Sequence, residues 1–215
     1  MDPAIDIAAV LGLAWGFVSD RISARWPAHD DASVRGIDWR TVLVTLAGGL
    51  AFGATVARFE SNPAALLIVG VYVVALVLLL ATDLDQRLLP DLITLPLIGF
   101  SLLAFATGSG PFVHGLENLA WAAAAAILVP LGLFLLAIPF GAGAIGQGDL
   151  KLLVSVGLLA GPANLFYALV SGALLAGVVV AVLVVTRRIT MKSFVPYGPF
   201  LIAGTLSAIL ALQGP

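Results

Sequence analysis

The chain has 215 residues, of which 61% are hydrophobic and 10% are charged, and its mean hydropathy is +1.12. A water-soluble domain of this length could not bury so much apolar surface, so the composition indicates a polytopic membrane protein. The net charge of −2 lacks the basic excess that is typical of nucleic-acid binding. With no cysteine and only His29 and His114, disulfides and thiolate sites are excluded, and we expect no metal or other cofactor.

Apolar runs of about 20 residues, the length that crosses roughly 30 Å of hydrocarbon, predict an all-α protein with about eight transmembrane helices. No cleavage site follows the first run, so we interpret it as a retained span rather than a signal peptide. The sixth run has only 12 residues before Gly161-Pro162 interrupts it, so it must borrow neighbouring residues or re-enter the membrane. The predicted spans are 4–19, 39–58, 63–82, 91–107, 116–138, 150–161, 163–186 and 196–212.

The distribution of cations predicts the orientation, because Lys and Arg concentrate in cytoplasmic loops. If all eight segments cross and the N-terminus lies outside, Arg58 is the one outer cation among the 10 Lys and Arg. If the sixth segment does not cross, Arg187, Arg188 and Lys192 move outside, and the cations divide into six inside and four outside. We therefore expect eight crossings, with both termini outside. The cations expected inside are Arg21, Arg25, Arg35, Arg40, Arg87, Lys151, Arg187, Arg188 and Lys192.

A polar segment over residues 20–39 connects the first two spans. It is too short to fold alone without disulfides or metal. We interpret it as a solvated cytoplasmic loop whose interfacial turn is anchored by Trp26 and Trp39, with no catalytic role.

Two carboxylates stand where apolar spans end or begin, and a charge near hydrocarbon is costly unless it is paired or functional. Asp83 ends the third span, and Asp149 precedes the sixth in the sequence Gly146-Gln-Gly-Asp-Leu-Lys151. Two carboxyl groups in proximity can share a proton, so that one acts as an acid while the other activates water. We expect Gly146 and Gly148 to form a turn with unusual dihedrals that leaves room for an extended peptide.

Each of these charged residues also has a structural interpretation. Asp149 could be the N-cap of the helix that follows it. Asp85 and Asp91 could belong to a polar turn in which Pro90 opens the next helix and Asp91 favours its positive end. Lys151 could be a topological anchor.

Three motifs in order resemble the type IV prepilin peptidases, which are membrane aspartyl proteases of the GxGD kind. They are Asp83-Leu-Asp-Gln-Arg-Leu-Leu-Pro-Asp91, the Gly146–Lys151 stretch, and Val195-Pro-Tyr-Gly-Pro-Phe-Leu201. The resemblance implies that Asp83 and Asp149 are the catalytic pair. It also implies one membrane domain over 1–215, with N-terminal spans over 1–62 and a peptidase core over 63–215. Residues expected to support the site or bind substrate are Gly146, Gly148, Asp85, Asp91, Lys151, Pro196 and Gly198.

The resemblance further implies what the substrate is, in which membrane the protein lies and on which side of it cleavage occurs. The substrate would be a type IV prepilin or pseudopilin precursor, cleaved at the cytoplasmic face of the bacterial inner membrane, with membrane lipid as the surrounding partner. Many bacterial members have a large insertion between the first two spans that binds zinc through Cys-x-x-Cys pairs, and they also N-methylate the product. This chain has a short loop there and no cysteine, so we expect a peptidase without zinc or methyltransferase activity.

Three other classes of protein share parts of this pattern. A small proton-coupled transporter would also have intramembrane carboxylates and interrupted helices, but its carboxylates should lie at the midplane, and no internal repeat is visible. A non-catalytic scaffold would not need both aspartates. Presenilin-like proteases share Gly-x-Gly-Asp, but their partner motif is Tyr-Asp, whereas here Thr82 precedes Asp83.

Overall fold

The computed structural model describes residues 2–27, 34–141, 145–188 and 196–211; His29, Lys192 and Val195 lie outside these ranges. The prediction of an all-α membrane protein is confirmed, because five helices in the described part are long and apolar enough to cross a membrane and two more are short and apolar. The count of eight crossings and the orientation of the termini stay predictions. The helices are α1 Pro3–Ser23, α2 Trp39–Phe59, α3 Pro63–Gln86, α4 Asp91–Ala106, α5 Leu116–Ala137, α6 Gln147–Val185 and α7 Gly198–Ala211.

Polar caps set the beginnings of the first three helices. The side chain of Asp2 accepts from the Ala4 amide (2.9 Å), and the side chain of Asn62 accepts from the Ala65 amide (3.1 Å). Asp38 forms a capping box with Thr41. α3 ends where Arg87 adopts a left-handed conformation (φ 57°, ψ 37°), which stops the helix just after Asp83 and Asp85.

Helix α6 reverses direction at Gly161, whose backbone (φ 77°, ψ 177°) is not helical. Asp149 and Ala173 line the same cleft, although a straight helix would hold them about 36 Å apart. α6 therefore consists of two antiparallel halves, 147–160 and 162–185. The predicted interruption at Gly161-Pro162 is confirmed, and the first half begins at Gln147, which lengthens the short sixth segment. Asn164 donates from its side chain to the Ala160 carbonyl (2.8 Å) at the bend.

Helix α3 lies at the centre of the bundle and contacts α1, α2, α4 and α7. Its Tyr72 is fully buried, and the Tyr72 hydroxyl lies 2.9 Å from Ser155 Oγ on α6. Ser155 Oγ lies 3.0 Å from Ser101 Oγ on α4. These buried hydroxyls satisfy one another and connect three helices within the apolar core.

The two ends of the bundle differ in charge. Near the ends of α1 and α3, Arg35 pairs with Asp85, and Lys151 at the start of α6 pairs with Asp91 at the start of α4. At the opposite end, the Arg58 guanidinium carbon lies 5.9 Å from the centre of the Phe112 ring. The described cations thus concentrate at the end that also holds Asp83 and Asp149.

Candidate active site

Asp83 and Asp149 line one cleft of about 660 Å³ at the basic end of the bundle. Both aspartates reach the cleft because α3 ends and α6 begins at this end of the bundle. The second half of α6 returns to the same end and completes the lining of the cleft. The residues that line the cleft are Asp83, Arg87, Leu133, Ile145, Gly146, Asp149, Leu153, Leu169, Val170, Ala173, Pro196, Tyr197 and Gly198.

Asp83 is held tightly in the last full turn of α3 and is 4% exposed. A Cβ added to Gly198, the first residue of α7, would overlap Oδ2 of Asp83, so only glycine lets the two helices approach this closely. Oδ2 is buried and has no hydrogen-bond partner among the described residues. A buried polar atom without a partner is rare in a folded protein and calls for an explanation, of which a catalytic role is one.

Asp149 lies in the first turn of α6, and Gly146 occupies the N-cap position. The interpretation of Asp149 as the N-cap is therefore wrong. The carboxylate folds back over Gly146, where an added Cβ would lie 3.1 Å from Oδ2 of Asp149. Asp149 thus faces the cleft from the side of α6.

The expectation of unusual dihedrals at the two glycines is also wrong. Gly146 has φ −65° and ψ 135°, and Gly148 is a helical residue without a positive φ. Gly148 instead permits close packing, because a Cβ there would lie 2.5 Å from Cβ of Leu89. The glycines around Asp149 therefore serve contact between neighbouring segments.

The other charged residues predicted near the site do not line the cleft. Asp85 Oδ1 accepts from Nε of Arg35 (2.5 Å) and from an Nη of Arg40 (3.1 Å) on the far side of α3. Asp91 Oδ1 accepts from Nζ of Lys151 (2.5 Å), which ties α4 to α6. Of the seven supporting residues expected from the sequence, the cleft includes Gly146, Pro196 and Gly198.

Two polar residues that line the cleft are not among the site residues predicted from the sequence. Arg87 lies between Asp85 and Asp91, and no local pattern of the sequence predicts the left-handed backbone with which it ends α3 beside the cleft. Tyr197 donates its hydroxyl to the Leu169 carbonyl (3.2 Å) and so ties the start of α7 to the returning half of α6. Its position between Pro196 and Gly198 in the third motif is the one feature of the sequence that could have indicated Tyr197 as a site residue.

Comparison with known proteins matches the model of the type IV leader peptidase family to residues 70–182, which include both aspartates. The chain belongs to the type IV leader peptidase family. Two curated relatives, both named prepilin leader peptidase/N-methyltransferase and both from Burkholderia pseudomallei, strains 1026b and K96243, are each 32% identical over 166 residues. That alignment covers 77% of this chain and 52% of each relative, so the chain spans about half the length of the curated relatives it matches. No solved structure matches the chain.

Membership of the leader peptidase family gives no support to the transporter alternative. Within the part of the chain that the structure describes, no group of three His, Cys, Asp or Glu side chains could hold a metal ion. The polar chemistry that this leader peptidase homologue presents in its cleft is thus that of two carboxyl groups, a guanidinium and a phenol.

Proposed function

We propose that the protein is a membrane aspartic endopeptidase that removes the leader peptide of type IV prepilin or pseudopilin precursors. The observation that carries this proposal is the arrangement of Asp83 and Asp149, which face one cleft from two different helices. Family membership supports the reaction class. The unpartnered Oδ2 of Asp83 supports a role in chemistry rather than in holding the fold.

The two carboxyl groups act as a pair in which one is ionised and the other protonated. The ionised carboxylate takes a proton from a water molecule as the water oxygen attacks the scissile carbonyl carbon. The protonated carboxyl then donates its proton to the leaving amine as the C–N bond breaks. Because the protons are shared, the two titrations belong to the pair as a unit.

The lining of the cleft supports a substrate with a polar and an apolar part. Leu133, Leu169 and Val170 form an apolar wall on α5 and on the returning half of α6. An apolar substrate helix would pack against this wall within the membrane, while the scissile bond beyond its end reaches the aspartates. Close packing of the substrate helix against this wall would supply binding energy without contacts near the reacting atoms.

The positive end of the bundle supports a cytoplasmic active site in the bacterial inner membrane. Arg35, Arg87 and Lys151 lie at the end that contains the cleft, whereas Arg58 lies at the other end. Cations of membrane proteins concentrate on the cytoplasmic side. A leader peptide in the cytoplasm would therefore reach the cleft without crossing the membrane.

We further propose that this protein cleaves without methylating. The B. pseudomallei relatives are named for both activities, and for this chain we propose the first alone. Between α1 and α2 it has no cysteine and only a short segment. Peptide hydrolysis by the aspartate pair requires neither a cysteine nor a large insertion between these helices.

The test is cleavage of a full-length prepilin by detergent-purified protein. We expect Asp83→Asn and Asp149→Asn each to lower the rate by about 10²–10⁴-fold, the usual contribution of a general acid or base. Asp85→Asn is the comparison variant: it makes the same change two residues away on the same helix and should retain cleavage, at a rate well above those of the first two variants. Full activity in either of the first two variants would contradict the pair, and loss in Asp85→Asn alone would show that the wrong aspartate was assigned.

A further inference from the structure

A network of buried ion pairs stands behind Asp83, and Arg35 is at its centre. The Arg35 guanidinium donates to Asp85 Oδ1 (2.5 Å), to Asp38 Oδ1 (2.6 Å) and to Asp20 Oδ1. The side chain of Arg35 is 14% exposed, and those of Asp20 and Asp85 are 1% and 2% exposed. The expectation of a solvated loop is therefore wrong for Arg35, which fastens the segment before α2 to α1 and α3.

The geometry of this network suits an arginine, whose three nitrogens each donate to a different carboxylate. Burial alone would lower the pKa of Arg35, but hydrogen bonds and charge from Asp20 and Asp85 raise it above its ordinary value. A planar guanidinium can donate to three carboxylates at once, whereas an ammonium is a compact point charge. The guanidinium therefore fixes the geometry of the three carboxylates around it.

The network holds the last turn of α3 from the face opposite the cleft. Asp83 and Asp85 are two residues apart, so their side chains leave the helix about 200° apart around its axis. Gln86 strengthens the same attachment, because its Nε2 donates to the carbonyls of Pro27 (2.6 Å) and Ser23 (3.3 Å) at the end of α1. The turn that carries Asp83 is thus attached to α1 and to the segment before α2.

We propose that Arg35 is a positioning residue that acts through Asp85 to fix the carboxyl group of Asp83 in the cleft. Arg35 lies outside residues 70–182, so the family match assigns it nothing. The inference rests on the proposed peptidase function. Displacement of a reacting group by about 1 Å can cost about 100-fold in rate.

Kinetics distinguish positioning from a role in folding alone. Arg35→Gln should lower kcat by about 10- to 100-fold per folded molecule and leave KM unchanged, because substrate still binds while Asp83 is misplaced. Asp85→Asn should also lower kcat while retaining cleavage. The double variant should lose less than the two single losses combined, because both changes break the contact between Arg35 and Asp85. Arg25→Gln, an exposed arginine at the same end of α1 and outside the network, is the matched control and should keep the wild-type kcat.

A spectroscopic measurement tests the same inference without substrate. The chain has no cysteine, so a single Leu88→Cys spin label, placed at an exposed residue just after α3, reports the motion of the end of that helix. Arg35→Gln should increase the mobility of this label, and Arg25→Gln should not.

The wild type and Asp83→Asn accompany every assay, so that failure of the two proposals can be separated. If the wild type does not cleave prepilin, the proposed function fails, while the label still tests the attachment of α3. If the wild type cleaves and Arg35→Gln keeps full kcat per folded molecule, the positioning role is overturned. It is likewise overturned if the Leu88 label is equally immobile in the wild type and in Arg35→Gln.

Discussion

At the scale of single residues, the decisive contact of the cleft is between Asp83 and Gly198. A carboxylate and a helix start can approach this closely only where there is no Cβ. At this contact Oδ2 of Asp83 is buried without a hydrogen-bond partner among the described residues. A glycine in this position therefore controls both where the carboxyl group lies and how much water reaches it.

Replacing Gly198 by alanine should disable the site while sparing the fold. The added methyl group would overlap Asp83 Oδ2 and push the carboxyl group out of place, which should lower the cleavage rate by about 100-fold. The measurement is the rate per folded molecule after size-exclusion chromatography. Gly177→Ala is the control, since a Cβ there meets nothing within 4 Å, and its rate should equal that of the wild type. An active Gly198→Ala variant would show that the carboxyl group tolerates displacement.

The sequence predicted some site residues and not others, for a physical reason. Asp83 and Asp149 could be found because a carboxylate beside an apolar run is conspicuous and costly. Their approach in space could be inferred only through the resemblance and the topology. The contact between Arg35 and Asp85 joins residues 50 apart, and nothing local marks either partner. Such a contact depends on how α1, α2 and α3 pack.

At the scale of helices, the contact between α1 and α2 depends on small residues. A Cβ on Gly12 would overlap the Gly48 carbonyl oxygen, and a Cβ on Gly16 would lie 2.5 Å from the Val44 carbonyl oxygen. Lipid tails are as apolar as side chains, so helices in a membrane associate through close packing of this kind. The pair in turn holds Asp20 and Arg35 in register with α3.

Gly12→Ala should therefore loosen the N-terminal helix pair. Forcing a methyl group into a packed contact costs about 1–3 kcal/mol, and we expect the melting temperature in detergent to fall. Trp15 is a suitable reporter, because its indole donates to the Val74 carbonyl on α3 (3.0 Å). Gly70→Ala is the control, with open space around the added Cβ, and should be neutral or stabilising by up to about 1 kcal/mol. Equal melting temperatures for both variants would contradict the close-packed contact.

The helix scale also shows how far a sequence can predict topology. The Gly161-Pro162 pair correctly marked an interruption, but a proline alone would allow either a kink or a reversal. The reversal follows from the backbone of Gly161, since φ 77° and ψ 177° are accessible to glycine and strained for other residues. The first half then packs against α5 where Gly157 meets Ala126, and the second half packs against α7 where Gly172 meets Phe200, which fixes the direction of return.

At the scale of the whole molecule, the family match covers most of α3 and all of α4 and α5, and it ends within α6. The cleft nevertheless needs α7 for Gly198 and, through Arg35 and Asp85, the segment before α2. The reversal of α6 is what brings Asp149 and the end of α6 to the same side of the molecule. Orientation in the membrane is therefore a test of the entire arrangement.

Single cysteines introduced into the cysteine-free chain should divide into two groups when intact cells are treated with a membrane-impermeant maleimide. Arg25→Cys and Arg188→Cys, both at exposed positions of the basic end, should react only after the membrane is permeabilised. Ser109→Cys, at an exposed position near Phe112 and Arg58, should react in intact cells. If α6 crossed once without reversing, position 188 would instead react from outside together with position 109. That result would separate Asp149 from the end of α6 and contradict the cleft as well as the orientation.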